Sequence, residues 1–517
     1  MRIGALGSKH RASVRSGGRV VLHEGTTEEL CLEWWVGGDD RWYEPAREIT
    51  TRQELIRNLP IVSVSMRVPS GDAVVTAFTT VQGPRELVVS ELSNRSKVPF
   101  VAALIVSGPG ANDVTLDGTA IRIGGLPVIH VPSAPQRSAA APSIDELRAL
   151  VVGGGVAPTY VPRHGESASA FLFAVTHTLG VRVGAIVGAS SPLAFAAPPV
   201  LHALPTVHDL ANGWDTHLGR GADLRTVPAL ASAPHFRSAI SSLLLYAEPA
   251  ASDVTTPIVV CGALAAALDA GGFHAEAGAL LADAPQWQGR RGELSDAKSE
   301  AVVGNAAIST AAFVDAVARH GALTHDAVFA KTMAPVLAGG LEYLLKKAKA
   351  DPSLAPWLAC STAVPSMLRI ARDERAARHA EKIFSSRYGQ MPSLPVEPLP
   401  AQSRGANFVP EDPMRLANLV RSHITPFCEF DSVTVCVLAG FDESMLGQPI
   451  DVRNLPTPFG RLSYAIRWHG ERPAILWECS AIHDDQRSDA LVLRAPRFGE
   501  WRAWGARGDS LLPAPLP

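Results

Sequence analysis

Charge is scarce in this chain. Charged residues fill 19% of its 517 positions, with 47 Lys plus Arg against 50 Asp plus Glu and a formal net charge of −3, below the ~25% usual for soluble domains. With no basic excess to neutralise phosphates, neither nucleic acid nor an anionic membrane is expected as a partner. Long apolar runs are also lacking. The most apolar stretch, residues 257–268, is about 12 residues, short of the ~18–20 that span a bilayer. Basic residues near the N-terminus have no apolar segment behind them, so no secretory signal is expected. The six cysteines, Cys31, Cys261, Cys360, Cys428, Cys436 and Cys479, lie far apart without a C-x-x-C pair. That spacing suits reduced, buried thiols in a cytoplasmic protein. Familiar catalytic signatures are missing too: there is no G-x-S-x-G, no G-x-x-x-x-G-K-[ST] and no H-E-x-x-H.

What remains is ample material for packed cores. Apolar residues make up 47% of the chain, and this length calls for two or three domains. Residues 61–68 read Ile-Val-Ser-Val-Ser-Met-Arg-Val, with Val62, Val64, Met66 and Val68 alternating against Ser63, Ser65 and Arg67. This period of two marks a half-buried strand. Further β-rich runs at 87–92, 99–106, 170–177 and 181–187, with turn signals between them, predict an N-terminal β-sandwich. Within it, Ser143 and Glu146 frame a capping box for a short helix that ends at Gly153-Gly154-Gly155.

The period becomes helical after about residue 230, and about eight helices are expected. They include 234–247, 258–270, 273–284, 356–371, 374–388 and 412–423, one near 303–317, and one with Thr324 as its N-cap. Beyond residue 431 the pattern is β again. Leu462, Tyr464, Ile466 and Trp468 alternate with polar neighbours, and a Gly470-containing turn leads to a second strand over 474–479. The organisation is therefore multidomain α and β. A β-sandwich with a linker helix covers 1–204, a helical domain 205–430, and a small β-domain 431–517.

Two segments hold groups suited to chemistry. His202, His208, Asp209, Trp214, Asp215 and His217 crowd one stretch, but they lack the spacing that places metal ligands on one helix turn. They are read as a polar connector, with no metal expected. The loop from Trp287 to Glu300 combines an aromatic with Arg290, Arg291, Glu293, Asp296 and Glu300. An aromatic face can stack on a pyranose while a pair of acids supplies proton donor and base. Asp296 and Glu300, four apart, share a helix face too closely to be both partners of an inverting pair.

The segment order and several stretches resemble the six-hairpin, (α/α)6-toroid glycosidases and phosphorylases, the glucoamylase and glycogen-debranching group, as a shortened bacterial member. The stretches are Leu32-Glu33-Trp34-Trp35-Val36-Gly37 with Asp40-Arg41-Trp42, then Gly213-Trp214-Asp215, then residues 272–277 continuing to 286–289, and finally residues 457–460 through 467–473 to Trp477-Glu478. The resemblance implies an incomplete (α/α) toroid in the middle domain, because a full one has twelve helices. It implies acid/base catalysis on α-glucans or small glucosides without a cofactor. Glu300 or Asp296 would be the acid, Glu276 or Asp215 the base, and Trp214, Trp287 and Arg291 would bind substrate. The alternative is a catalytically degenerate relative that binds glycan or serves as a protein-interaction scaffold, with partner unknown. Residues 356–364 carry no acid at all, and Trp477, Trp501 and Trp504 would then be either a binding face or ordinary core.

Overall fold

The computed structural model describes the whole chain except residues 162–166, 190–194, 196, 228–232, 253–255, 295–305, 351–362, 388–411, 431–432, 483–485 and 517. It divides into two compact units, Met1–Trp214 and Asp215–Pro517, and the division falls inside the helix Val207–Leu218. Both units mix helices with largely antiparallel sheets.

In the first unit, alternating sequence becomes two eight-stranded antiparallel sheets. One runs Arg2–Gly4, Arg11–Val14, Val20–Leu22, Leu30–Gly37, Phe100–Ser107, Ala168–Val175, Arg137–Ala141, with Trp42–Tyr43 paired to Leu30–Gly37. The other runs Val114–Asp117, Ala120–Ile123, Leu126–His130, Gly180–Ala189, Arg85–Asn94, Gly71–Gln82, Val62–Val68, Arg52–Leu55. Val62, Val64, Met66 and Val68 are buried, as their period requires, and join Leu32, Trp34, Leu104 and Phe171 of the other sheet in one shared core. Trp34 Nε1 donates to Ser90 Oγ at 2.9 Å, a buried hydrogen bond from sheet to sheet.

Successive side chains of a strand face opposite ways, so Trp35 leaves that core. It packs with Leu147 and Val151 of the helix Ile144–Val152 in a second cluster. Its Nε1 donates to Glu33 Oε1 at 2.9 Å, and Arg148 lies 5.5 Å from its ring centre. The helix begins at Ser143 as expected, with Oγ accepting from Glu146 N at 3.3 Å.

The second unit is built around the helix Ile258–Ala270, which packs against Ala233–Ser252, His274–Leu281, Ala306–Thr324 and Pro413–Ile424. A helix apolar on every side can only be internal. Gly262 allows close approach: a Cβ there would stand 3.3 Å from Phe313 Cα. The helix ends in a Schellman motif. Phe273 N donates to Leu268 O (2.9 Å), Gly272 N donates to Asp269 O (3.0 Å), and Gly272 takes a φ of 83°.

Thr324 does not start a helix. It closes Ala306–Thr324, donating to His320 O at 2.8 Å, and His325 breaks the run at a φ of 52°. Asp326 caps the following helix instead, its Oδ1 accepting from Val328 N and Phe329 N at 2.8 and 3.0 Å. A carboxylate satisfies two of the orphan amides of a first turn more strongly than a hydroxyl does. That helix, Ala327–Ala350, is also long and apolar enough by length and composition to cross a membrane. It is two-faced: Met333, Val336, Leu337 and Leu344 are buried, while Lys346 and Glu342 pair on the exposed side.

The strands Ile450–Thr457, Gly460–His469, Arg472–Ser480 and Arg507–Leu511 form a five-stranded sheet whose fifth member, Asp223–Thr226, precedes the helices in sequence. The expected hairpin is present, with His469 opposite Arg472 across Gly470-Glu471. Gly470 has a φ of 66°, and a positive φ at the first turn position is the type II′ requirement. A four-stranded sheet, Cys428–Phe430, Val435–Val437, Val492–Arg494 and Arg502–Trp504, completes the unit. Trp477 is core and packs edge-on to Trp501 at 6.3 Å, whereas Trp504 is exposed.

Candidate functional site

The Schellman turn decides what lies in the middle of the helical unit. By reversing the chain within Ala270–Phe273 it returns His274, at the start of the next helix, to Asp269 at the end of the previous one. His274 Nδ1 stands 2.7 Å from Asp269 Oδ1. His320, from Ala306–Thr324, approaches the same carboxylate, its Nδ1 3.0 Å from Oδ1 and 3.1 Å from Oδ2. Asp269 is only 1% exposed, so this carboxylate is withdrawn from bulk solvent. Burial alone would raise its pKa, but the charge on His320 and the hydrogen bonds from both imidazoles hold it below the ordinary carboxylate range. Burial would likewise lower His320, and Asp269 reverses the direction.

A second pair lies along the same short helix. Glu276 Oε1 is 3.3 Å from His217 Nε2, and the His217 ring stacks on Phe273 with centroids 5.5 Å apart. The nearby His217 imidazole is the main reason that the Glu276 carboxyl titrates below its usual range, with Arg220 adding to it. Glu276 is half-buried, its side chain 25% exposed. It is therefore an ionised group, able to accept a hydroxyl hydrogen bond, unsuited to donate a proton, and a weaker proton acceptor than an ordinary glutamate. The carboxyls of Glu24, Asp40, Glu86, Asp209, Asp269, Glu276 and Glu342 all titrate below their usual range.

The residues singled out from the sequence fall in different surroundings. Asp296 and Glu300 lie outside the described residues. Asp215 is tied to Arg237. Trp214 is buried at 2% exposure, which leaves no ring face for a sugar to stack on. Trp287 is half-buried and meets Phe313 edge-on at 5.7 Å. Its loop is pinned: Gln288 Nε2 donates to Val336 O at 2.9 Å, and Leu294 N to Thr310 Oγ1 at 2.9 Å. Gly292 is required there, since a Cβ would stand 2.1 Å from Gly339 O. Arg291 is exposed, and its backbone N donates to Glu293 Oε2 at 3.0 Å.

Of the crowded connector histidines, His208 is exposed and His217 alone reaches a carboxylate of the helical unit. The Asp269, His274 and His320 group escaped the sequence. Asp269 and His274 flank a Gly-Gly turn five positions apart, a local cue, but His320 stands far along the chain and only helix packing delivers it.

No protein-family model matches the chain, and no curated protein matches it in sequence. Among solved structures it is similar to a bacterial glucoamylase complexed with acarbose, at TM-score 0.48 and 10% identity over 74% of this chain and 65% of that one. It is also similar to a family GH92 alpha-mannosidase from Bacteroides thetaiotaomicron, at TM-score 0.27 and 11% identity over 68% of this chain and 52% of that one. The same mannosidase in complex with mannoimidazole gives a TM-score of 0.26. These neighbours are glycoside hydrolases, and the likeness to them is distant. The chain spans a little under two thirds of the glucoamylase and about half of the mannosidase.

Proposed function

We propose that this chain is a carbohydrate-binding protein on a glycosidase-type frame, with an N-terminal β-sandwich, an incomplete (α/α) toroid and a small C-terminal β-domain. What supports the frame is the order of its parts, two sheets around a shared core followed by helices and then strands. The observation that carries the functional reading is Glu276. It is a half-buried carboxylate, held ionised by His217 beside the buried ring of Phe273, and its Oε2 has no hydrogen-bond partner among the described residues. An ionised carboxylate accepts hydrogen bonds from sugar hydroxyls. A cytoplasmic location belongs to the same proposal, supported by the five described cysteines being buried thiols.

Hydrolysis of α-glucans or small glucosides is the second reading. Glu276 has the protonation state of a base, and Asp296 or Glu300 would have to supply the acid. Binding comes first because Glu276, held below its usual range by His217, cannot serve as the proton donor, and Asp296 and Glu300 lie outside the described residues.

Calorimetric titration with maltooligosaccharides tests the proposal, with release of reducing ends followed in parallel. Glu276→Gln is expected to weaken binding at least tenfold, the order of a lost charge-assisted hydrogen bond. Turnover by the wild type that Glu276→Gln abolishes would establish the hydrolase reading instead. Absence of any binding at several millimolar oligosaccharide would sink both.

A further inference from the structure

We propose that Asp269, His274 and His320 form a binding site for one zinc-type divalent cation. One carboxylate oxygen and two imidazole nitrogens converge so that all three lie within 4.8 Å of one another. Two nitrogens and one oxygen make a donor set for a borderline metal such as zinc, not for calcium or magnesium, which take oxygen ligands. Three protein ligands leave a fourth position of a tetrahedral ion for water or another small ligand.

Placement favours a bound ion over a chance cluster. The three residues come from three separate points of the chain: the end of Ile258–Ala270, the start of His274–Leu281, and Ala306–Thr324. The Schellman turn that pairs the first two rests on a positive-φ glycine, so their juxtaposition is rigid. Asp269 and His320 have side chains 1% and 6% exposed, and His274, at 15%, lies nearest to solvent. Gly278 packs close against the far side of the His320 ring, where a Cβ would stand 3.2 Å from Nε2, and this leaves Nδ1 turned toward Asp269. Both histidines present Nδ1 to Asp269 at 2.7 and 3.0 Å. Ligands of a tetrahedral zinc stand about 3.4 Å apart, so seating the ion asks the His274 and His320 nitrogens to draw back from Asp269 by about 0.7 and 0.4 Å.

The test uses the full chain, stripped with a chelator and dialysed against one equivalent of zinc chloride, with metal counted by mass spectrometry. One bound zinc per chain is expected, together with a rise in melting temperature that the chelator reverses. His274→Ala and His320→Asn are each expected to weaken zinc binding at least tenfold. His208→Ala, an exposed histidine outside the trio, is expected to retain the full equivalent. Where His320→Asn fails to fold, the more exposed His274→Ala decides. Two results overturn the site: less than a tenth of an equivalent of zinc bound by the wild type, which would make the trio an ion-free hydrogen-bonded bridge, or full zinc retained in both His274→Ala and His320→Asn.

Discussion

His423 occupies the buried face of Pro413–Ile424, its Nδ1 2.7 Å from Leu419 O, while its buried Nε2 has no hydrogen-bond partner among the described residues. Burial pushes its pKa down to about 4, and His235, whose ring stands edge-on at 5.2 Å, adds to the effect. An unfolded histidine titrates near pH 6.5, at about the reference value. Between that pH and about 4 the unfolded chain binds a proton that the folded chain refuses, so stability falls as pH is lowered through this window. We expect His423→Leu to flatten the fall in melting temperature between pH 7 and 4.5. Parallel curves for variant and wild type would show that His423 contributes nothing. None of this was visible in the sequence, where His423 is one more polar residue near a helix end. Glu276 was named from the sequence, but His217, which holds it ionised, was assigned to a connector, because their contact depends on where two helices meet.

Among the elements, those governed by neighbours in sequence were legible. The Val62–Val68 strand, the Ile144–Val152 helix with its Ser143 cap and the Gly470 hairpin each follow from periodicity or turn chemistry. Ser143→Ala should destabilise the short helix by about 1 kcal/mol, seen as faster amide hydrogen exchange confined to Ile144–Val152; unchanged exchange there would mean that Arg148 and Leu147 anchor it without the cap. Legibility failed where two local signals competed. Thr324 and Asp326 are both capping residues, and the positive φ at His325 settles which of them starts the helix.

At the scale of the whole molecule, the first unit depends on the core that its two sheets share. Phe171 is fully buried there, and Phe171→Ala should cost about 3–5 kcal/mol in denaturant unfolding. Val81→Ala, at a site 51% exposed, should stay within about 0.5 kcal/mol. Equal effects at the two sites would contradict the burial assigned to Phe171. The chain's own pattern determined that strands come first, helices next and strands last, because periods of two and 3.6 residues are written in local hydrophobic order. Tertiary structure alone decided that Asp223–Thr226 crosses the helical stretch to join a sheet beyond it, that Trp34 and Trp35 serve two different cores, and that His320 meets Asp269. Each of these is a contact between residues distant in sequence, and periodicity carries no information about which distant faces will pack.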